Sequence, residues 1–186
     1  DRTMPELASQ TLRRWFERSQ KSKLKSQKRG TLKPGETLLQ RKVYLFCDEF
    51  TNYNDAEVGK KAILLLEALG YEVDIPEHGD SGRTYLSKGL VKEAKIIANK
   101  NIVRLSGLIS AETPLIGIEP SAILSFRDEY IDLADPENKE AARNLSGSAF
   151  TIEEFISMEY KAGRIDRTAF TTAEKQVLIH GHCYQK

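Results

Sequence analysis

Three side chains that can bind a metal lie within four residues near the end of this 186-residue chain. They are His180, His182 and Cys183, and they follow an apolar run at residues 176–179. Imidazole and thiolate groups are soft ligands of the kind that hold transition metals. We expect the apolar run to be a buried strand that delivers these ligands at its carboxyl end. Such a site needs further ligands, and we expect it to be completed outside this chain.

Predicted strands and predicted helices alternate along the chain from residue 42 onward, and they would position these ligands. Strands that alternate with helices form a parallel sheet through right-handed crossovers. We therefore predict an α/β fold, with a parallel, doubly wound sheet of about four strands and flanking helices. The predicted strands are residues 43–47, 71–76, 115–118 and 176–179, and the predicted helices are residues 55–69, 87–109, 121–130 and a stretch that a capping-box pattern begins at Thr151.

The loops at the carboxyl ends of parallel strands meet at one edge of the sheet. In this chain those loops carry Cys47, Asp80, Glu119 and finally the pair His182 and Cys183. The sequence therefore predicts that four loops converge on one site. Cys47 could line that site or be a core thiol that packs as a small hydrophobe, and both alternatives stay open. His78, just before the second loop, is expected to face solvent.

In the order of these loops the chain resembles a known family, the cysteine-rich CCG domain. This domain occurs in heterodisulfide-reductase-type proteins, in iron–sulfur subunits of glycolate oxidase and in the C-terminal region of FAD-linked oxidases. Its motif is Cys, then Cys-Cys-Gly, then Cys-x-x-Cys, usually present twice. The corresponding residues are Cys47, then Asp80-Ser81-Gly82, then Glu119-Pro120-Ser121-Ala122, and finally His182-Cys183 at the opening of a second copy.

The first copy departs from the family motif at its ligand positions. Asp80, Ser81 and Ala122 stand where the family has cysteines. A cluster usually takes four cysteines, so we expect the isolated chain to bind none. The resemblance implies that Cys183 begins a metal site completed outside this chain, and that Cys47 and His182 belong to the same cofactor site. A replacement site for a hard metal, built from Asp80, Glu119 and a histidine, stays open.

The resemblance also implies a function for the parent protein. It would be an iron–sulfur flavoprotein oxidoreductase that uses FAD to oxidise a small 2-hydroxy acid of the D-lactate or glycolate type. Its partners would be FAD and ferredoxin-like domains of the same chain or complex, with a membrane quinone or another acceptor beyond them. The present chain would be a scaffold of the electron-transfer domain and inactive alone. The alternative is a non-catalytic α/β binding or regulatory domain with a basic arm.

Composition and charge set the remaining expectations. We assign residues 1–40 to a helix and basic connector, and residues 41–186 to the first half of the CCG-type domain. A net charge of +1 gives no global attraction to nucleic acid, and the basic run at residues 21–29 is expected to be a solvated linker or arm. Trp15 and Phe16 would dock on a neighbouring domain or on the sheet domain itself. Two cysteines fit a reducing cytoplasm, with the inner face of a membrane as a further expected location.

Overall fold

The computed structural model describes residues 6–28, 41–179 and 181–183. His180 and the predicted boundary at residue 40 lie outside the described residues. The described strands form one all-parallel sheet in the order β2-β1-β3-β4. The strands are β1 Arg41–Phe46, β2 Tyr71–Asp74, β3 Leu115–Gly117 and β4 Ala149–Thr151.

Nine α-helices connect or cover these strands within the described residues. They are α1 Leu12–Lys28, α2 Glu49–Tyr53, α3 Ala56–Ala68, α4 Arg83–Leu86, α5 Val91–Leu105, α6 Pro120–Ile123, α7 Glu129–Leu133, α8 Lys139–Ser146 and α9 Ile152–Lys161. Short 3-10 turns span Leu124–Phe126, Pro136–Asn138 and Arg167–Ala169. In the part of the chain that the structure describes, every helix is too short or too polar to cross a bilayer.

Helices cover both faces of the sheet, and the continuous apolar run of β1 reflects this. Tyr44 and Phe46 belong to one buried cluster with side chains of α5 to α8. Val43 and Leu45 belong to the other, with side chains of α1, α3 and α9. Successive side chains of a strand alternate between its faces, so a strand covered on both sides is apolar throughout. The predicted doubly wound α/β fold is confirmed.

The position of the fourth strand is the main correction to the predicted fold. Residues 176–179 are not a strand: they form irregular chain, and Val177, Leu178 and Ile179 are 71% to 102% exposed. The fourth strand is instead the three-residue β4, which pairs with β3. β4 has three residues and runs directly into α9. A strand this short cannot show an alternating pattern of apolar and polar residues.

The predicted helices agree with the structure in type more closely than in extent. Thr151 caps α9 through the expected reciprocal hydrogen bonds with Glu154. The long helix predicted at residues 87–109 is shorter, because α4 precedes it and the turn at residues 87–90 separates the two. The helix predicted at residues 121–130 is divided into α6, a 3-10 turn and α7.

Helix α1 packs on α2 and α3 at one face of the sheet. Leu12 and Phe16 are buried in the cluster that contains Val43 and Leu45, so docking on the sheet domain itself is the alternative that the structure supports. A Cβ atom at Gly59 of α3 would lie 2.4 Å from Leu12 Cδ2, so the glycine permits the close approach of the two helices. The helix continues through the basic run as far as Lys28, where the sequence predicts a linker.

Candidate functional site

The sheet has a topological switch point between β1 and β3. The chain leaves β1 for β2 on one side, then crosses over β1 to β3 on the other. In open parallel sheets, ligands bind in the crevice that such a crossing leaves at the carboxyl ends of the strands. Cys47 follows β1 and Glu119 lies two residues beyond β3, so both predicted loops flank this crevice.

Cys47 is a buried thiol at the end of β1. Its side chain is 4% exposed, and its Sγ donates a hydrogen bond to Asn52 Oδ1 at 3.6 Å. Burial raises the pKa of this thiol to about 12. The thiolate is the form that binds metals, and the surroundings of Cys47 oppose it. The geometry favours the core-thiol alternative, and a cofactor-binding role for Cys47 stays a prediction.

His78 does not face solvent, so that expectation is wrong. Its ring lies 4.3 Å from the ring of Phe46, measured between centroids. Its Nε2 accepts from Arg13 Nη2 at 2.6 Å and from the backbone N–H of Cys47 at 3.1 Å. Its Nδ1 therefore carries the proton and donates to the carbonyl of Gly79 at 2.6 Å. The neutral imidazole joins α1, the end of β1 and the second loop.

The environment of His78 disfavours its protonated form. Burial and the neighbouring Arg13 guanidinium lower the pKa of His78 from 6.5 to about 3. The unfolded chain takes up a proton near pH 6.5, whereas the folded chain does not do so until about pH 3. The contribution of this group to stability is therefore fully present above pH 6.5 and is lost as the pH falls towards 3.

We expect this loss to be measurable by comparing the protein with the variant His78→Gln. The glutamine oxygen can accept the same hydrogen bonds but does not titrate. The difference in free energy of unfolding between the two proteins should change by about 2 kcal/mol between pH 7 and pH 5, with the parent losing stability on acidification. Urea unfolding at a series of pH values measures this difference. Parallel curves of the free energy of unfolding against pH for the two proteins would contradict the prediction.

One other buried group near this edge titrates in an overlapping range, in the opposite direction. Burial raises the pKa of Asp48 from 3.8 to about 6, although it caps α2 by accepting from the backbone of Phe50 and Thr51. The folded chain therefore binds this proton before the unfolded chain, and stability rises as the pH falls from 6 towards 3.8. Asp48 is present in both proteins, so its effect cancels in the comparison.

The second loop is closed by hydrogen bonds at the position that corresponds to Cys-Cys-Gly. Ser81 is fully buried, and its backbone N–H and hydroxyl donate to the two carboxylate oxygens of Glu49 at 2.8 and 2.7 Å. Its hydroxyl also accepts from the backbone of Arg83 at 3.1 Å. Asp80 lies beside this pair, and partial desolvation together with the negative charge of Glu49 raises its pKa.

The buried side chains of Asn101 and Tyr130 hold the second loop through hydrogen bonds. Asn101 of α5 accepts from the backbone N–H of Gly79 at 2.7 Å and donates to the carbonyl of Asp80 at 2.8 Å. It also donates to the hydroxyl of Tyr130 at 2.9 Å, and that hydroxyl donates to the carbonyl of Ser81 at 2.9 Å. The backbone of the second loop is therefore held at three consecutive residues.

The third loop forms the N-terminus of α6. Glu119 caps α6 by accepting from the backbone N–H and the hydroxyl of Ser121 at 3.2 and 2.7 Å. Ala122 is fully buried in the cluster with Phe46 and has no polar side-chain atom. The third loop thus offers a carboxylate at the crevice but no thiolate.

The closing segment returns to this crevice even though it is not a strand. His182 Nε2 lies 3.8 Å from Glu119 Oε1, so the third loop and the closing segment come together as predicted. Cys183 is exposed, and it forms no disulfide with the buried Cys47.

The residues of this edge do not fit an iron–sulfur cluster. The chain has two cysteines, Cys47 is buried as a thiol, and the usual complement is four thiolates. Among the described residues, no group of three or more His, Cys, Asp or Glu side chains could hold a metal ion. Within the described ranges there is therefore no third ligand that could complete a hard-metal site with Asp80 and Glu119.

Several residues that shape this edge come from elements outside the predicted loops. They are Arg13 of α1, Asn101 of α5 and Tyr130 of α7. The polar Asn101 on the apolar face of an amphipathic helix was a usable signal, because a buried amide is nearly always hydrogen-bonded.

Comparison with known proteins gives partial matches to redox proteins. The chain is 30% identical over 90 residues to D-2-hydroxyglutarate dehydrogenase of Escherichia coli (strain K12), which is 48% of this chain and 9% of that protein. It is 25% identical over 142 residues to a subunit of the anaerobic glycerol-3-phosphate dehydrogenase of the same organism, which is 74% of this chain and 32% of that protein. It is 30% identical over 118 residues to lactate utilization protein A of Geobacillus thermodenitrificans (strain NG80-2), which is 62% of this chain and 47% of that protein.

The chain is related to parts of dehydrogenases. In the first of these relatives it spans less than a tenth of the protein, and in the third it spans about half. No family model matches the chain, and no solved structure matches it.

Proposed function

We propose that this chain is a scaffold of the electron-transfer domain of an iron–sulfur flavoprotein oxidoreductase that acts on a small 2-hydroxy acid. The class is supported by the relatives, two of which are named as dehydrogenases. The substrate class is supported by the names D-2-hydroxyglutarate dehydrogenase and lactate utilization protein A, because both 2-hydroxyglutarate and lactate are 2-hydroxy acids. The place within the enzyme is supported by the resemblance to the CCG domain.

The observation that carries the scaffold role is the closed second loop. Where the family motif has two cysteines, Ser81 is buried and both carboxylate oxygens of Glu49 are engaged in hydrogen bonds to it. A ligand loop has to present its donor atoms outward, whereas the Ser81 hydroxyl of this loop is directed into the protein. In this proposal, hydrogen bonds hold this edge together where the family has metal bonds.

In this proposal the redox cofactors are held by other parts of the parent protein. FAD would accept the electrons from the substrate, and ferredoxin-like domains would carry them towards this domain and a membrane acceptor on the cytoplasmic side. Cys183 would be the first ligand of a metal site completed outside this chain. Its exposure supports this role, because an accessible thiol can reach ligands on another part of the protein.

The proposal predicts that the chain by itself assembles no iron–sulfur cluster. After anaerobic incubation with ferrous iron and sulfide, followed by desalting, we expect no stoichiometric cluster by visible absorption and iron analysis. The reason is that two cysteines, one of them buried, cannot replace the usual four thiolates.

The variant Cys183→Ser is the matched control for this experiment. Any iron held loosely by the exposed thiol should be lost in this variant, whereas Cys47→Ser should bind as little iron as the parent chain. A stable cluster present at one per chain would contradict the scaffold role.

A further inference from the structure

A separate cavity lies at the opposite edge of the sheet, where the strands begin. It encloses about 230 Å³ and lies between the first residues of β1 and β2 and the outer part of α9. Its apolar wall is formed by Val43, Phe150, Phe155 and Met158, and its polar rim includes Arg41 and Arg164. Ligand pockets are usually larger, so the volume suits only a small molecule.

The polar rim is built around one buried carboxylate. Glu159 is 4% exposed, and its Oε2 accepts from Arg41 Nη1 at 2.9 Å, from Arg164 Nε at 2.8 Å and from the hydroxyl of Tyr71 at 2.6 Å. Its Oε1 accepts a further hydrogen bond from Arg164 Nη2. Burial opposes ionisation of Glu159, but these hydrogen bonds outweigh it and keep its pKa below the usual value.

The residues that line the cavity include three cationic side chains, Arg41, Lys42 and Arg164, and two carboxylates, Glu112 and Glu159. Two guanidinium groups surround the Glu159 carboxylate, which leaves one positive charge in that cluster. Glu112 is exposed, and its hydrogen bond from the hydroxyl of Ser110 at 2.9 Å, together with the nearby charge of Arg41, lowers its pKa. Lys42 is paired with Asp74 at 3.1 Å.

The two guanidinium groups are fixed in position, yet their hydrogen-bonding capacity is not exhausted. A guanidinium has five N–H donors, and Arg41 uses one of them on Glu159. Because Glu159 holds both arginines in place, an incoming anion would not have to order them. This arrangement lowers the entropic cost of binding.

We propose that this cavity binds a small organic carboxylate with a compact apolar group. The carboxylate contacts Arg41 at the rim, and the apolar group fills the space against Phe155 and Met158. The charge of the cluster selects a monoanion, and the apolar wall selects against inorganic anions. This site lies at the opposite edge from the crevice, so the inference does not depend on the proposed function.

Titration of the isotope-labelled chain with isovalerate, followed by NMR, tests this site. We expect saturable shifts at residues that line the cavity, with a dissociation constant in the millimolar range. Isoamyl alcohol has the same apolar group without the charge, and inorganic phosphate has charge without the apolar group. Each should bind at least about tenfold more weakly, because a hydrogen bond to a charged group and a buried apolar group each contribute on that order.

Variants locate the binding site. Arg41→Gln should weaken isovalerate binding about tenfold, since it removes the charge while Arg164 still pairs with Glu159. The matched control is Arg104→Gln, because Arg41 and Arg104 each have a side chain that is 44% exposed and each pairs with a glutamate. Met158→Glu, at a position that is 44% exposed, should abolish binding by placing a negative charge at the cavity without disturbing the core.

Three results would overturn the proposal. They are the absence of saturable shifts with isovalerate, binding of phosphate as tightly as isovalerate, and equal binding by the protein and by both cavity variants.

Discussion

Replacement of Gly117 by alanine should destabilise the protein by about 3 kcal/mol or more, because the added methyl group has no space. A Cβ atom at this position of β3 would lie 2.3 Å from Ile123 Cβ and 2.7 Å from Ile123 Cγ1. Ile123 is fully buried and lies on α6, so its Cβ cannot move away by a change of rotamer. Either β3 or α6 has to shift, and α6 begins at the third loop of the crevice.

Urea unfolding of Gly117→Ala measures this effect, and Gly147→Ala is the matched control. Gly147 ends α8 with ordinary helical backbone angles, and the nearest atom to an added Cβ is 3.7 Å away. Its replacement should change stability by no more than about 0.5 kcal/mol. The double variant Gly117→Ala, Ile123→Gly should lose less than the sum of the two single losses, because only glycine at position 123 lacks the Cβ atom that the added methyl group meets. Equal stability of the two glycine variants would show that the contact is relieved at no cost.

Replacement of Asn101 by leucine should cost about 3 to 5 kcal/mol, because a fully buried side chain loses three hydrogen bonds at once. The leucine leaves the N–H of Gly79 and the carbonyl of Asp80 without their partner on α5. It also removes a donor from the hydroxyl of Tyr130, which is itself buried. We expect the second loop to lose its fixed conformation before the sheet unfolds.

Two measurements test the role of Asn101. Urea unfolding gives the loss of stability, with Lys100→Ala at an exposed position of the same helix as the control. Amide hydrogen exchange gives the local effect, and the Gly79 amide should exchange much faster in Asn101→Leu than in Lys100→Ala. Unchanged protection of Gly79 would mean that the second loop does not depend on this amide.

The fold class could be predicted because each face of the sheet is covered and the helices are strongly patterned. The run of β1 is apolar at every buried position for that reason, and the capping residues Thr151 and Glu154 mark the start of α9. The fourth strand was misplaced because residues 176–179 are more apolar than β4. An apolar run becomes a strand only where a partner strand is available, and the sequence does not contain that information.

The candidate site was only partly predictable for a similar reason. The loops after β1, β2 and β3 lie at one edge because the strands run parallel, so their carboxyl ends meet there. The chemistry of that edge depends on side chains from distant elements. His78 is 65 residues from Arg13 in sequence, and no local pattern connects them. Its neutral state follows from desolvation first and from the Arg13 charge second, so solvent exposure is the wrong expectation.

The contacts of α1 also affect how the chain folds during synthesis. Leu12 packs against Gly59, and Arg13 binds His78, so the partners of this helix are made long after the helix itself. At about 5 to 20 residues per second, the 65 residues between Arg13 and His78 take roughly 3 to 13 s to translate. For that time Arg13 of α1 lacks its native partner. The nascent chain therefore contains the α1 segment well before the segment that Arg13 binds. The contact between α1 and the second loop can form only after β2 is complete.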